Sequence, residues 1–193
     1  VGRRIREAGM RIAMHPDQFT LLNSPNPEIR TRSVAELAYH AQVLDALELS
    51  PEAKIQIHIG GVYGDRESAK DRFVETYRHL PEAIRRRLVI ENDDRQYPLF
   101  EAIDIHGRCG VPVLLDVLHD QILTSGWSLS EALRRAGKSW GPCDGLPLLD
   151  YSQQRPGARS GAHIEHLRAA PFRAFLRESA GFDFDLMLEI KDK

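Results

Sequence analysis

The sequence of 193 residues predicts an α/β fold, specifically a (β/α)₈ TIM barrel, from three observations. Six short apolar runs alternate with helical segments, a pattern typical of parallel strands joined by right-handed crossovers. Titratable or polar residues follow every run, whereas a doubly wound sheet gathers its functional groups at one or two switch points. A barrel takes about 31 residues for each βα unit. We therefore expect units three to eight, without the first two βα units, as one partial barrel domain over residues 1–193.

The six apolar runs are predicted to be strands buried on both faces. Parallel strands that are covered by helices on both sides are continuously hydrophobic, rather than alternating between apolar and polar residues. The runs start at positions 11, 55, 88, 111, 146 and 185, with the sequences RIAMHPDQ, IQIHIGG, LVIENDD, VPVLLDVLHD, LPLLDYSQ and DLMLEIKDK.

The helices between the strands are predicted from their capping residues. Asn26 before Pro27 combines an N-cap with a proline at the first helical position, and Ser128 with Glu131 has capping-box spacing. The segment PFRAFLRESAG is expected to end in a helix C-cap at Gly181, because glycine favours that position. Further helices are predicted over residues 66–79 and 98–107.

The composition excludes several classes of protein. The net charge of −2 provides no cationic field for nucleic acid, so DNA binding would need a local site. Cys109 and Cys143 are too few for a disulfide framework and suit a reducing compartment, which predicts a cytoplasmic location. No apolar run reaches the roughly 18 residues of a membrane span, so no membrane partner is expected.

Imidazoles and carboxylates follow the predicted strands. In a barrel the carboxyl ends of all strands meet in one mouth, so these groups are expected to converge. Such ligands suit Zn²⁺, Mn²⁺ and Fe²⁺ in mixed nitrogen and oxygen sites, and clustered carboxylates repel each other unless a cation is present. The predicted metal ligands are His15, His58, Glu91, Asp116, His119, Asp150, His163 and Glu189.

Taken singly, several of these residues have structural explanations. A lone histidine at a strand end, such as His15 or His58, is more often a structural residue than a ligand, and Asp150 would serve equally in capping a turn. His166 lies three residues after His163 and is an alternative to it. The convergence of eight groups on one mouth favours the metal site.

Asp116 and His119, three positions apart, would alone be interpreted as a polar strand end. In register with the other five strand ends they resemble ligands of two neighbouring metals, and their spacing is then expected to bridge the two sites. Asp116 is expected at the last inward position of its strand. His119 is expected to begin a loop that reaches outward.

The strings MHPDQFTLLNSPN, VIENDD, LLDVLH, GAH and LMLEIKDK resemble those of the UV damage endonucleases, which are DNA repair enzymes on a metal-dependent TIM barrel. The resemblance runs from Ile12 to the last residue, with the strings in the same order. It implies hydrolysis of the phosphodiester 5′ of cyclobutane pyrimidine dimers and 6-4 photoproducts, with abasic sites as a further candidate. The implied partner is damaged double-stranded DNA, and the chain is expected to act as a monomer.

The resemblance also implies roles for individual residues. Two or three divalent ions, with Mn²⁺ the expected metal, would occupy the mouth. Glu91 matches the bridging carboxylate, and His15 with His58 matches the ligands that complete the outer site. Asp116 and Glu189 match carboxylates of the neighbouring site, and with Glu91 they are the predicted catalytic residues.

The same resemblance assigns His119 and His163 to a third metal. Gln18 and Phe19 match a polar and an aromatic residue that probe damaged bases, by hydrogen bonding and by wedging into the duplex. The HPDQF string also argues against a sugar isomerase of the same barrel superfamily, because such an enzyme needs no protruding glutamine and aromatic pair.

The sequence departs from the family pattern in the predicted seventh strand. Some members have a lysine and a histidine where this chain has Leu148 and Asp150. Asp150 is able to bind a metal, but Leu148 cannot supply the modified lysine of those members, which leaves the third metal open. Two alternatives therefore stand beside the main prediction: an abasic-site endonuclease or sugar isomerase of the superfamily, and an inactive fragment.

Overall fold

The protein is described from a computed structural model, which covers residues 1–191; positions 192 and 193, the end of the last apolar run, lie outside the described residues. Six strands form one sheet in chain order, and each strand is parallel to the next. Helices connect successive strands, as in a TIM barrel, so the predicted fold class and the six predicted units are confirmed. The strands are β1 (Ala13–Met14), β2 (Lys54–His58), β3 (Leu88–Glu91), β4 (Val113–Asp116), β5 (Leu148–Tyr151) and β6 (Asp185–Leu188).

Eight helices are present in the described part of the chain, and none of them is long and apolar enough to cross a membrane. The Asn26 side chain accepts a hydrogen bond from the Glu28 amide, and the Ser128 hydroxyl accepts one from the Glu131 amide, which confirms both predicted N-caps. The helices are α1 (Gly2–Glu7), α2 (Pro27–Ala46), α3 (Arg66–Arg78), α4 (Glu82–Arg85), α5 (Leu99–Cys109), α6 (Val117–Ile122), α7 (Leu129–Gly137) and α8 (Ala169–Glu178).

The predicted C-cap at Gly181 is wrong. Helix α8 ends at Glu178, and its C-cap is Ser179, which keeps a right-handed conformation. Gly181 has a φ of 94° and lies in the turn that leads to β6. Phe182 and Phe184, which follow that turn, pack against the core, so tertiary packing places the chain reversal beyond the helix end.

Side chains alternate between the two faces of the sheet, as the period of a strand requires. The outward side chains of β2 to β5 are buried under the helices in the main hydrophobic core. Inward side chains form a smaller apolar layer around Val89, Leu114 and Leu148. Burial on both faces is therefore confirmed for β2 to β5, but it is wrong for the two edge strands of the described sheet. Strand β1 is only half-buried, and Met187 of β6 is 50% exposed.

Charged side chains close the amino-terminal end of the sheet. Lys54 is completely buried, and its ammonium group lies 2.5 Å from Asp144 and 5.8 Å from the centre of the Trp140 ring. Arg11, just before β1, donates to Asp185 of β6 at 2.8 Å. These contacts stabilise the amino-terminal end of the barrel. The predicted site lies at the opposite, carboxyl-terminal end.

Candidate metal centre

Six of the eight predicted ligands stand at the carboxyl ends of the six strands. They point inward because each occupies a position of the inward-facing alternation, and the parallel register brings them to one edge of the sheet. These six residues are His15, His58, Glu91, Asp116, Asp150 and Glu189. The convergence expected from the sequence is therefore present in the fold.

The first group of donor atoms comes from His15, His58 and Glu91, and these atoms lie within 4.8 Å of one another. His15 Nε2 is 3.2 Å and His58 Nδ1 is 2.8 Å from the same oxygen, Glu91 Oε1. The His58 nitrogen is buried and has no hydrogen-bond partner of suitable geometry among the described residues. An orphaned imidazole nitrogen beside a carboxylate fits a divalent cation between the two.

Two further groups continue from the first. The second group consists of Glu91, Asp116 and His119, and the third of Asp116, Asp150 and Glu189, each with donor atoms within 4.8 Å of one another. Glu91 belongs to the first and second groups, and Asp116 to the second and third. The arrangement therefore offers three adjoining cation positions that are linked by two shared carboxylates.

His119 lies on a helix, so the expectation that it begins an outward loop is wrong. Asp116 ends β4 and also caps helix α6, since its Oδ1 accepts a hydrogen bond from the His119 amide at 2.8 Å. The helix turns the imidazole inward, where it is buried with Nδ1 3.1 Å from Asp116 Oδ2. The spacing of three thus reflects a strand end that is also an N-cap.

His163 lies beside the three groups but belongs to none of them among the described residues. Its Nδ1 is 3.0 Å from the Glu189 carbonyl oxygen and 3.3 Å from Glu189 Oε2. Its ring centre is 6.2 Å from that of His119. His166, the alternative, is on the exposed side of the same loop. A ligand role for His163 remains a prediction.

Gln56 is a site residue that the sequence reasoning missed. Its side chain is buried, with 4% exposure, and its amide nitrogen donates to Glu91 Oε2 and to Asp150 Oδ2. One amide thus connects the first group to the third. The signal was available in the sequence, because Gln56 lies two positions before His58 and so shares its inward face.

Asn92, the residue after Glu91, was also missed. Its side chain donates to the Asp116 carbonyl at 3.0 Å and accepts from the Asp116 amide at 2.9 Å. Its own carbonyl oxygen is 3.0 Å from His119 Nδ1. Asn92 therefore holds the end of β4 and the imidazole of His119 in place, a role that a sequence pattern does not reveal.

The carboxylate of Glu91 controls the protonation of its neighbours. Burial lowers the pKa of His15, but the hydrogen bond and charge of Glu91 outweigh burial and raise that pKa to about 9. Burial also lowers the pKa of His58, but the charge of the Glu91 carboxylate, 2.8 Å from His58 Nδ1, outweighs burial and raises that pKa. Burial would raise the pKa of Glu91, but the two imidazoles hold it well below its usual range. Glu91 is therefore ionised at neutral pH.

The other buried carboxyl groups behave in the opposite way. Burial, followed by repulsion from Glu91, raises the pKa of Asp116 well above its usual range. The same causes, with a contribution from Glu189, raise the pKa of Asp150 to about 8. Without a cation, Asp150 is thus mainly protonated at pH 7. A divalent ion supplies the positive charge that would keep both groups ionised.

Leu148 points into the interior apolar layer and packs with Val89 and Leu114. It offers no donor atom to the cluster, in agreement with the departure noted from the sequence. Asp150, two positions later, does reach the third group.

Gln18 and Phe19 lie in the loop between β1 and α2, at the same end of the sheet as the donor groups. Asp17 shapes this turn, since its Oδ1 accepts from the Phe19 amide at 2.9 Å and its carbonyl accepts from the Thr20 amide. The Phe19 side chain is 72% exposed. A large aromatic ring is thus presented to solvent from this loop, where a role in lesion binding remains a prediction.

Comparison with known proteins gives consistent findings. The family described as "UV-endonuclease UvdE" matches residues 1–193. A UV DNA damage endonuclease from Clostridium perfringens is 35% identical over 195 residues, covering all of this chain and 47% of that protein. A solved structure described as "Crystal Structure of SacUVDE" is 42% identical with a TM-score of 0.93, covering the whole chain and 64% of that structure.

A more distant likeness is to a D-psicose 3-epimerase from Clostridium cellulolyticum H10. That structure has a TM-score of 0.65 and 19% identity, and the match covers 97% of this chain and 66% of the epimerase. At this identity the likeness supports the fold alone. The chain spans about half the length of the Clostridium perfringens relative.

Proposed function

Because the chain belongs to the UV-endonuclease UvdE family, we propose that it is a metal-dependent DNA repair endonuclease acting on damaged double-stranded DNA. The proposed reaction is hydrolysis of the phosphodiester 5′ of a cyclobutane pyrimidine dimer or a 6-4 photoproduct, with abasic sites as further substrates. The observation that carries the proposal is the chain of three donor groups joined through Glu91 and Asp116.

The proposed metal set follows the donor groups. His15, His58 and Glu91 would hold the outer ion, and Glu91 with Asp116 and His119 would hold the next. Asp116, shared with that group, would hold a third ion together with Asp150 and Glu189. We propose Mn²⁺ for this mixed set of nitrogen and oxygen donors. His163 is proposed to bind the same metal ion as His119. Bound divalent ions supply a water of lowered pKa and offset charge on the attacking and leaving oxygens.

The residues of the chain prepare the site for this chemistry. Glu91 remains ionised at neutral pH and is thus ready to bind a cation. His15 Nε2 must release its proton before it is able to donate a lone pair, and so must the Asp150 carboxyl group. We therefore propose that binding of metal ions releases protons from the site. We also propose that Glu91, Asp116 and Glu189 are the catalytic residues.

Recognition of the lesion is proposed for the exposed loop between β1 and α2. Phe19 wedges into or stacks on an opened base step, and Gln18 hydrogen-bonds a base. A lesion that weakens stacking makes this opening easier, so selection depends on deformability of the duplex rather than on sequence. We propose that the chain acts as a monomer in the cytoplasm.

A sugar isomerase is the alternative function, because a sugar epimerase has a similar fold. An enzyme for a small polar substrate covers its site and does not present a large aromatic ring to solvent. Phe19 is 72% exposed and lies four residues after His15 in the loop that follows β1, which favours a macromolecular substrate.

The proposed function is tested by nicking. The chain is loaded with Mn²⁺ and incubated with an end-labelled duplex that contains a cyclobutane dimer, and with the same duplex without damage. We expect one cut 5′ of the dimer, lost in EDTA and lost in Glu91→Gln. Phe19→Ala should weaken cutting of the damaged duplex, whereas Tyr39→Ala, on the exposed face of α2, should not.

Two outcomes would count against the proposal. If the metal-loaded chain cut none of the dimer, 6-4 photoproduct and abasic duplexes, and Glu91→Gln behaved like the parent, the nuclease function would be refuted. If the chain bound Mn²⁺ and the damaged duplex without cutting it, the inactive binding fragment would be the better description. Metal content measured on the same samples separates these cases.

A further inference from the structure

The loop between β2 and α3, residues 59–65, carries a tyrosine in an unfavourable backbone conformation. Tyr63 has a φ of 50°, which is a genuine outlier for a bulky residue. Among the described residues, Glu48 is the other non-glycine residue with positive φ. Glu48 follows the C-terminus of α2, where left-handed residues commonly end helices. Tyr63 ends no helix but is the first central residue of a tight turn: the Asp65 amide donates to the Val62 carbonyl at 3.0 Å, and Gly64 also has a positive φ, of 81°. Glycine, asparagine and aspartate dominate such turn positions, so a tyrosine there is unexpected.

The loop is built to support the Tyr63 ring. A Cβ atom at Gly61 would lie 3.2 Å from the tip of the ring, closer than an ordinary contact, so the glycine gives the ring room to rest on the backbone there. The Gly61 carbonyl accepts hydrogen bonds from the Asn23 side chain at 2.7 Å and from the Tyr97 hydroxyl at 3.1 Å. Asn23 and Tyr97 are completely buried and come from two neighbouring loops. Hydrogen bonds from two separate loops therefore fix the backbone beneath the Tyr63 ring.

Arg72 adds a second support. Its guanidinium group lies 5.8 Å from the centre of the Tyr63 ring, at the distance of a cation–π contact. The same side chain donates to the Asn23 carbonyl at 3.0 Å. Asn23 lies four residues after Phe19 in the loop between β1 and α2. The tyrosine and the proposed wedge are thus carried by loops that are bonded to each other through Asn23.

The Tyr63 side chain remains 43% exposed despite these contacts. A ring that merely filled a gap would be covered, and the turn from Val62 to Asp65 does not itself require an aromatic side chain at this position. Strained residues persist where surrounding structure holds them for binding. A ring that is already held in place loses little side-chain freedom when a ligand stacks on it.

We propose that Tyr63 is a stacking residue for the nucleic acid, a second base-contacting aromatic beside Phe19. The inference rests on the proposed function and deepens it, because it names a residue that sets affinity for the damaged strand. An aromatic platform suits a repair enzyme, since every base has a face on which a ring stacks, whatever the sequence around the lesion.

The test uses Tyr63 variants that are expected to keep or raise the melting temperature of the protein while weakening its binding of DNA. Tyr63→Gly and Tyr63→Asn suit a left-handed conformation, so both should melt at or above the temperature of the parent. Both should bind a duplex with a tetrahydrofuran abasic-site analogue about tenfold more weakly, as expected for one lost stacking contact. Tyr63→Phe keeps the ring and should bind like the parent, and so should Tyr39→Ala, whose side chain is 60% exposed on α2.

Binding is measured by fluorescence anisotropy with Ca²⁺ in place of Mn²⁺, on the lesion duplex and its undamaged match. Equal affinity of Tyr63→Gly, Tyr63→Asn and the parent for the lesion duplex would overturn the inference, as would weak binding by Tyr63→Phe. If the parent itself did not distinguish the two duplexes, the proposed function would fail instead. The two failures are therefore distinguishable in one experiment.

Discussion

Replacing Asp150 by asparagine is expected to stabilise the metal-free protein and to weaken its binding of metal. Asp150 is buried on β5 and receives a hydrogen bond from Gln56 at 2.5 Å. Burial, with repulsion from Glu91 and Glu189, raises its pKa from 3.8 to about 8. Asp150→Asn replaces the carboxyl group by a neutral amide of the same shape, whose oxygen is still able to accept the bond from Gln56.

The size of the effect follows from proton linkage. Between pH 3.8 and about 8 the folded state binds this proton and the unfolded state does not. The contribution to stability is therefore complete below pH 3.8, and each unit of pH above that value removes about 1.4 kcal/mol until the folded pKa is reached. At pH 7 the cost amounts to at most about 4 kcal/mol. Asp150→Asn escapes this cost.

The assay is urea unfolding in EDTA at several pH values between 5 and 8. The difference in unfolding free energy between Asp150→Asn and the parent should grow with pH by about 1.4 kcal/mol per unit, in favour of the variant. Asp71→Asn, on an exposed face of α3, is the control and should follow the pH profile of the parent. With Mn²⁺ the order should reverse, because the parent gains a carboxylate ligand and the variant does not.

Two results would contradict the expected behaviour of Asp150. A stability difference that did not change between pH 5 and 8 would show that Asp150 is ionised in the metal-free fold. Equal stabilisation of the parent and Asp150→Asn by Mn²⁺ would show that Asp150 is no ligand.

Three further predictions concern residues around the site and one helix end. Gln56→Leu removes the amide that connects Glu91 and Asp150, and should weaken Mn²⁺ binding 10–100-fold, roughly the effect of losing a supporting partner, in calorimetric titration; an unchanged affinity contradicts this. Asn92→Ala leaves the amide and carbonyl of Asp116 unpaired and should cost about 2 kcal/mol of unfolding free energy, whereas a cost near zero would mean that other groups hold β4. Asn26→Ala removes the N-cap of α2 and should cost about 1 kcal/mol without altering Mn²⁺ affinity; a change in affinity would link that helix end to the site.

The fold and most of the donor set were predictable because both depend on short-range regularities. A strand buried by helices on both faces must be apolar along its length, so β2 to β5 stood out as apolar runs. A barrel brings strand ends together, so donors placed after each run were expected to meet. The caps at Asn26 and Ser128 were equally local, since each side chain bonds a backbone group two or three residues away.

Features that depend on partners far away in the chain were not predictable. Gln56 gains its importance from Glu91 and Asp150, which are 35 and 94 positions away. His119 faces the cluster because Asp116 caps a helix directly after β4, which a spacing of three does not reveal.

The order of strands and helices, the candidate metal ligands and their location at strand ends were readable from the sequence alone, because hydrophobic periodicity and ligand chemistry are properties of neighbouring residues. The folded structure was needed to see that Glu91 and Asp116 are shared between groups, that Gln56 connects the first group to the third, and that the loop around Gly61 holds Tyr63 in a strained, exposed position. These features depend on distances and burial between separate strands and loops, which exist only once the sheet has formed.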